Sequence, residues 1–527
     1  MRYLEKIALM KNIGSSWLGL AVNIATGIVI SPYILHKLGD EAFGLWVLVF
    51  SVTGYYGLFD LGIRSSIVRY VARFSAMEDR EQLSRVVSTS LFTYVCICVC
   101  VLAVTSVASL FLDRVVHLHA AYVHTGRILF FMVGASLALG FPLGVFAGVL
   151  EGLQKFYLIN SINIINTILR AVLIVIALNR GYGLLTVAWI TVLLPVINQL
   201  VNAINVFRLA DLQIALRFIN KITFHELFRY GSVTFVMSLA GNLRFKTDAL
   251  VIGTFLSAAA ITPFAIGSRI VDYAAGMVDS LAQVFTPMSS HFDAKGDLDK
   301  LRAIFIGGNR GCALVMFPIC AGLVILGKSL IHVWMGLKYV PLSYPVLLVL
   351  LFPSTLRMSQ ATTGRILYGM ARHKVLAGVT LLEGLANLVL SILLVRRYGI
   401  MGDAVGTAVP LTLTCVLFLP QHMCGILKLP VWTFLRRAYA APVLLCMPLI
   451  AVLLGMRLWF YPRTLLQFSA HVLAGGLVYG AFVYYFMFVK GPLNPRHHSV
   501  TWEEPIEPEQ LVSVVYAEEP SGRAAES

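Results

Sequence analysis

Apolar runs of about 20 residues or more recur along nearly the whole chain, and each is long enough to cross a hydrocarbon layer about 30 Å thick as a helix. They lie near 13–35, 43–63, 86–112, 128–150, 158–178 and 184–206, then 230–256, 262–288, 304–326, 344–370, 375–395 and 404–426, and finally 440–458 and 465–489. In lipid every backbone N–H and C=O needs an internal partner, so a spanning segment is a helix or a strand of a closed barrel. Barrel strands would read as short alternating segments, and the sequence has none. The expected fold is an all-α polytopic membrane protein with about fourteen transmembrane helices.

Composition agrees, at 58% hydrophobic and 13% charged residues. The formal charge of +15 is uneven: in the tail from 491, Arg496 and Arg523 stand against seven Glu, so the remainder is more basic than the whole. The cations flank apolar runs, which fits the positive-inside rule and anionic membrane lipids and argues against a nucleic-acid partner. Lys and Arg outside the runs number about 24 on the N-terminal side and about 10 on the other, so both termini are expected in the cytoplasm of a multi-pass protein. Arg64, Arg69, Arg73, Arg80 and Arg85 carry much of that bias. All eight cysteines sit in apolar runs, where they read as small packing residues. The basic start, Met1 to Lys11, leads into a full-length run with no convincing cleavage site and reads as a first membrane helix.

The chain repeats. At an offset of 218, Leu38/Leu256, Tyr55/Tyr273, Phe74/Phe292, Asp79/Asp297 and Leu83/Leu301 coincide; at 217, Leu150/Leu367, Gly152/Gly369 and Leu158/Leu375 follow. A slip to 216 pairs Gly183 with Gly399. Six runs per copy is an even number, so the copies are expected to be parallel lobes about a central cleft. The organisation reads as a lobe at 1–210, a second at 211–430, two additional helices at 431–490 and an acidic, disordered cytoplasmic tail at 491–527.

Several ionisable residues fall inside these runs, where each costs about 2.5–3.5 kcal/mol on insertion scales. Arg244, Lys246 and Asp248 lie in 230–256, and Arg269, Asp272 and Asp279 in 262–288. Two readings stand for this cluster: a closed ion-pair network, or a polar path for a substrate. Arg170, Arg310 and Arg357 add cations in other runs, and Asn163, Asn166 and Arg170 share one helix face. At offset 217, Asn166 and Arg170 match Glu383 and Asn387. Asn198, Asn202 and Asn205 have the spacing of interhelical hydrogen-bonding residues. Asp60 and Arg64, four apart, read as a gate or a local pair. Gly140, Gly144, Gly148 and Gly152 form a ladder whose default meaning is close helix packing. Pro32, Pro142, Pro195, Pro318, Pro353 and Pro410 lie in or near runs and predict kinks.

Leu38 to Trp46 (LGDEAFGLW), Tyr55 to Ile63 (YYGLFDLGI), Arg69 to Ala72 (RYVA) and Asp248 to Gly253 (DALVIG) together resemble the Wzx-like polysaccharide-export flippases. These belong to the multidrug/oligosaccharidyl-lipid/polysaccharide exporter superfamily, and the resemblance covers roughly residues 10–430. It implies a MATE-like two-lobed transporter, not an enzyme, that flips an undecaprenyl-diphosphate-linked O-antigen or exopolysaccharide unit across the bacterial inner membrane by alternating access. Glycan polymerase and chain-length machinery are the protein partners it implies. A guanidinium suits a diphosphate, because its planar fork donates two hydrogen bonds and stays charged. Arg170, Arg244 and Arg357 are therefore the expected headgroup contacts, supported by Lys246 and Arg269. Asp248, Asp272 and Glu383 are expected sites for a coupling Na⁺ or proton, with Asp279 in the same polar stripe. No phosphate-cradling Gly-rich loop is present to take ATP, and no cofactor is expected. A cation-coupled drug exporter of the same superfamily is the alternative, although acidic groups would then have to dominate. A membrane-embedded glycan polymerase or ligase is a further one, without the large outward domain it would need.

Overall fold

The computed structural model describes residues 2–115, 119–209, 212–228 and 247–486, with 235, 239 and 242 between them. Arg244, Lys246 and the acidic tail lie outside the described residues. Among those described there is no strand. Numbering only helices of eight residues or more, they are α1 (Arg2–Leu38), α2 (Asp40–Thr53), α3 (Ile63–Ala76), α4 (Arg80–Leu110), α5 (Ala120–Gly152), α6 (Phe156–Asn179) and α7 (Leu184–Leu209). There follow α8 (221–228), α9 (Asp248–Phe255), α10 (Ala258–Ala282), α11 (Phe285–Ala294), α12 (Leu298–Met335) and α13 (Val340–Ser359). The last are α14 (Ala361–Gly369), α15 (Lys374–Leu413), α16 (Leu419–Ile426), α17 (Val431–Trp459) and α18 (Leu465–Tyr484).

Eleven helices among the described residues are long and apolar enough to span a membrane. Three features separate that count from fourteen. The run at 262–288, which becomes α10 with Arg269, Asp272 and Asp279 in it, is not among the eleven. Lys374–Ile426 counts once although its backbone breaks at Gly399 (φ 60, ψ −144). The segment before Asp248 is largely outside the described residues. The prolines at 32, 142, 195, 318, 353 and 410 all lie inside helices.

Packing divides the chain into two units, Met1–Gly267 with Thr380–Thr407, and Ser268–Val379 with Ala408–Ser527. The boundaries fall inside α10 and α15, so this division differs from the repeat boundary read from the sequence. In the first unit α5 packs against α4 and α7, and α1 against α6. Its core includes Ile63, Ile67 and Val71 of α3 against Val145, Val149 and Leu150 of α5. The second unit is built on α12, which packs against α13 and α17. Its core brings Leu301 and Phe305 together with Ile366, Leu367, Met423 and Phe434, and the Phe305 and Phe434 rings stack at 4.4 Å.

The repeat is visible in the backbone. Before α4, the amides of Met77, Glu78, Asp79 and Arg80 bond the carbonyls of Arg73, Ser75, Phe74 and Glu78; before α12, those of Lys295, Gly296, Asp297 and Leu298 bond His291, Asp293, Phe292 and Gly296. Each turn then starts its helix with an aspartate cap, Asp79 accepting the Gln82 amide at 2.9 Å and Asp297 the Lys300 amide at 3.0 Å. The Lys300 amide holds the Asp297 carboxylate below its ordinary range. Turns after α5 and α14 match likewise: Leu153, Gln154 and Lys155 bond Val149, Glu151 and Leu150, as Met370, Ala371 and Arg372 bond Ile366, Tyr368 and Leu367. Positive φ recurs at Glu78/Gly296 and Gln154/Ala371, and Gly181 and Gly399 also have positive φ.

Gly44 has no room for a side chain. A Cβ on Gly44 would lie 1.8 Å from the backbone oxygen of Ala258, whereas one on Gly140 would meet nothing within 4 Å. Gly44→Ala should cost at least the ~1–3 kcal/mol of overpacking and lower the melting temperature of purified protein in detergent. Gly140→Ala should leave it unchanged or slightly raised; equal melting of the two variants would contradict the α2 packing described.

Candidate functional site

In the first unit, α6 carries a polar face built from its asparagines. Asn160 donates to Ser15 Oγ of α1 at 3.0 Å, Asn163 accepts from Asn198 at 2.6 Å, and Asn166 donates to the Leu194 carbonyl of α7 at 2.7 Å. Side-chain amides join helices in lipid by hydrogen bonds that have no water to compete with them. Arg170 continues that face one turn further. It is half-buried, and among the described residues no carboxylate, carbonyl or side-chain oxygen pairs with it. A guanidinium at mid-helix without an anion is costly, so an anion supplied from outside the chain would be bound favourably.

The same unit holds an oxygen cluster. Asp248 opens α9, and Glu383, Asn387, Ser391, Asp403 and Thr407 follow one another on α15. Thr407 Oγ1 lies 3.1 Å from both Asp248 Oδ1 and Asn387 Oδ1. Ser391 Oγ lies 3.0 Å from Asn387 Oδ1 and 3.3 Å from the Asp403 carbonyl. Asp403 is fully buried, and neither carboxyl oxygen has a hydrogen-bond partner. A buried carboxyl group whose oxygens accept no hydrogen bond suits a proton or a hard cation.

At the start of α3 the expected Asp60–Arg64 relationship takes another form. Arg64 Nη2 pairs with Glu151 Oε1 of α5 at 2.6 Å. Asp60 accepts the Tyr94 hydroxyl and the backbone amides of Arg64 and Gly62, so it caps α3 where the 3₁₀ stretch Gly54–Asp60 turns into it. The glycine ladder of α5 divides: Cβ atoms on Gly148 and Gly152 would press on Ile67 and Val71, while Gly140 and Gly144 face open space.

In the second unit, Arg269, Asp272 and Asp279 lie on α10, Arg357 on α13 and Arg365 on α14. Arg365 Nη2 reaches Asp279 Oδ1 and Oδ2 at 2.8 and 2.7 Å. Asp272 sits in the field of Arg269 and Arg357. Three guanidiniums against two carboxylates leave one positive charge, so the cluster is partly a closed ion-pair network and partly a cationic surplus. Arg310 is occupied structurally: its Nε and Nη2 donate to the Arg437 carbonyl at 2.9 and 2.6 Å. Elsewhere in this unit α12, α17 and α18 enclose an apolar cavity of about 290 Å³, lined by Pro318, Leu326, Leu449, Leu453, Phe468 and Val472.

Sequence reasoning missed four participants. Asp403 and Thr407 straddle the start of an assumed run, Glu151 sits just past the end of another, and Tyr94 is one aromatic in a long apolar stretch. Arg365 lies in the run at 344–370, and its pairing with Asp279 is not readable from spacing.

The repeated, all-helical membrane architecture is a MATE-like fold, and solved structures share it. An inward-facing multidrug resistance MATE family transporter of the MOP superfamily superposes with a TM-score of 0.67 at 17% identity, covering 78% of this chain and 95% of that one. The lipid II flippase MurJ in an inward closed conformation gives 0.70 at 13% identity, covering 90% and 98%. Residues 9–293 match the family described as polysaccharide biosynthesis protein, and the chain belongs to that family. Among relatives, the uncharacterized membrane protein EpsK of Bacillus subtilis (strain 168) is 22% identical over 439 residues, 81% of this chain and 85% of its own. A putative O-antigen transporter of Shigella flexneri is 24% identical over 438 residues, 80% of this chain and 99% of its own.

The Asp279–Arg365 contact can be measured directly. Arg365→Ala and Asp279→Asn should each destabilise purified protein, and the double variant should recover part of the loss, with a coupling of about 0.5–3 kcal/mol. Additive losses in the thermal unfolding of the four proteins would mean that the pair does not act as one.

Proposed function

We propose that this protein is a flippase carrying an undecaprenyl-diphosphate-linked oligosaccharide from the cytoplasmic to the outer leaflet of a bacterial inner membrane, its termini in the cytoplasm. The observation that carries this reading is Arg170, a mid-helix guanidinium without an anion among the described residues. The cationic surplus of Arg269, Arg357 and Arg365 over Asp272 and Asp279 supports it, and weighs against a drug-cation exporter, whose cargo would be repelled. A diphosphate has the charge and fork-matching oxygens that guanidiniums recognise. Gly140 and Gly144 leave space on α5 that sugars can occupy. The polyprenyl chain needs no escort in hydrocarbon, and the apolar cavity by α12, α17 and α18 offers it a resting surface.

The driving force in this reading is ionic. A membrane potential negative inside favours outward movement of an anion by about 2.3 kcal/mol per charge per 100 mV. The cluster of Asp248, Asn387, Asp403 and Thr407 takes a Na⁺ or a proton as the coupling ion, with Glu383 one turn away on α15. Arg244 and Lys246, in the segment before Asp248, remain headgroup contacts in this scheme. A glycan polymerase and its chain-length partners would receive the product.

In the host lacking this protein, lipid-linked glycan should accumulate on the cytoplasmic leaflet. Arg170→Ala should reproduce that block at normal protein level, because no hydrogen-bond or ion-pair partner among the described residues is lost; the loss expected is about tenfold or more, the worth of a charge-assisted hydrogen bond. Wild-type export by Arg170→Ala and Arg357→Ala would remove the headgroup assignment. Asp403→Asn should abolish the Na⁺ or pH dependence of flipping in vesicles, and an unchanged dependence would place the coupling ion elsewhere.

A further inference from the structure

After α7 ends at Leu209, the chain comes back along the first turns of α4. Residues 212–228 are fastened there by backbone groups. The Gln213 amide donates to Ser84 Oγ at 3.3 Å, that of Ala215 to Ser88 Oγ at 3.4 Å, and that of Asn220 to Thr89 Oγ1 at 3.3 Å. Ser66 of α3 donates to the Leu227 carbonyl at 2.8 Å. Asn220 starts α8, its side chain accepting the Ile222 amide at 2.9 Å. The inner edge of this strap is closed: Leu227 is 2% exposed, and Leu212 and Ile214 pack on the core of the unit.

The outer edge is unlike that of an aqueous loop. Leu216 is 79% exposed, Ile222 69%, Phe224 44% and Phe228 42%. Phe224 and Phe228, one turn apart, stack at 6.3 Å. Cations stand among them: Arg217, whose guanidinium lies 4.9 Å from the Phe218 ring, and Lys221, with Arg208 just before the strap. Its depth follows from α4. Ser84 to Thr89 lie roughly 6–14 Å along the helix from Arg80 at a rise of 1.5 Å per residue, where Arg80, Glu81 and Arg85 give way to the apolar run. That is the level at which lipid headgroups give way to acyl chains, and both α4 and α7 are committed to that bilayer.

We propose that residues 212–228 form an in-plane anchor on the membrane surface, with Leu216, Phe224 and Phe228 in the acyl boundary and Arg217 and Lys221 on the phosphates of anionic lipids. Apolar residues beside interleaved cations are the composition that binds such an interface. The occupant of this surface is lipid, not a soluble protein. Its position just before the segment that leads to Asp248 makes it a fixed mooring between the two repeats.

The test uses the full chain in lipid nanodiscs, with an environment-sensitive fluorescent amino acid at position 224. Lipids brominated on their acyl chains should quench most of its emission, and aqueous iodide should quench little. Amide hydrogen exchange across 212–228 should slow severalfold when phosphatidylglycerol replaces part of the phosphatidylcholine, and Arg217→Gln with Lys221→Gln should erase that difference. Quenching by iodide but not by brominated chains would overturn the proposal. So would exchange indifferent to phosphatidylglycerol, or crosslinking of a photoreactive residue at 224 to a co-purifying protein instead of lipid.

Discussion

The constraint beneath this structure is that a backbone group inside hydrocarbon cannot be left without a partner. At several helix interruptions a side chain takes over. Gln360, buried between α13 and α14, donates to the Leu356 carbonyl at 3.3 Å and the Cys415 carbonyl at 3.0 Å. Cys415 belongs to a π-helical turn, Thr414–Phe418, so one carboxamide joins two interruptions. Asp60 does similar work at the start of α3, and Ser391 reaches the carbonyl of Asp403.

Polar residues in the spans therefore fall into two kinds. The amide nitrogens of Gln360, Asn160 and Asn166 substitute for or supplement the backbone by donating to groups on neighbouring segments. Arg170 and the Asp403 carboxyl are not satisfied in this way. Burial of such groups is tolerable when a ligand, ion or proton completes them for part of a cycle. One completes an anion and the other a cation. A protein that binds both in the same unit can make the arrival of one depend on the departure of the other.

The number and placement of apolar runs made the fold class legible, because the rule linking run length to bilayer thickness needs no tertiary information. The repeat was legible at Asp79/Asp297, where a capping residue marks the same turn twice. After α6 the positive φ falls at Gly181, a position that sequence identity alone does not single out. Asp403 was hidden for a different reason. The stretch Arg396 to Asp403 is polar and glycine-containing and reads as a loop between two runs, yet the backbone breaks only at Gly399 and is helical again by Asp403, whose carboxylate is buried. Arg170 stood out because a charge inside an apolar run needs an explanation without reference to its neighbours. Its lack of a partner could come only from the three-dimensional arrangement.

The turns before α4 and α12 share every backbone hydrogen bond, yet the left-handed residue is Glu78 in one and Gly296 in the other. A left-handed glutamate pays a steric penalty that glycine avoids. The hydrogen-bond pattern has thus outlasted the side chain that suits it best, as expected when selection acts on how a helix end is closed and leaves the residue there free to drift. Backbone geometry is in this sense an older record of the duplication than the sequence. A distant relative that shares no motif with this chain should still be recognisable by an aspartate cap placed one residue after a left-handed turn, twice, about two hundred residues apart.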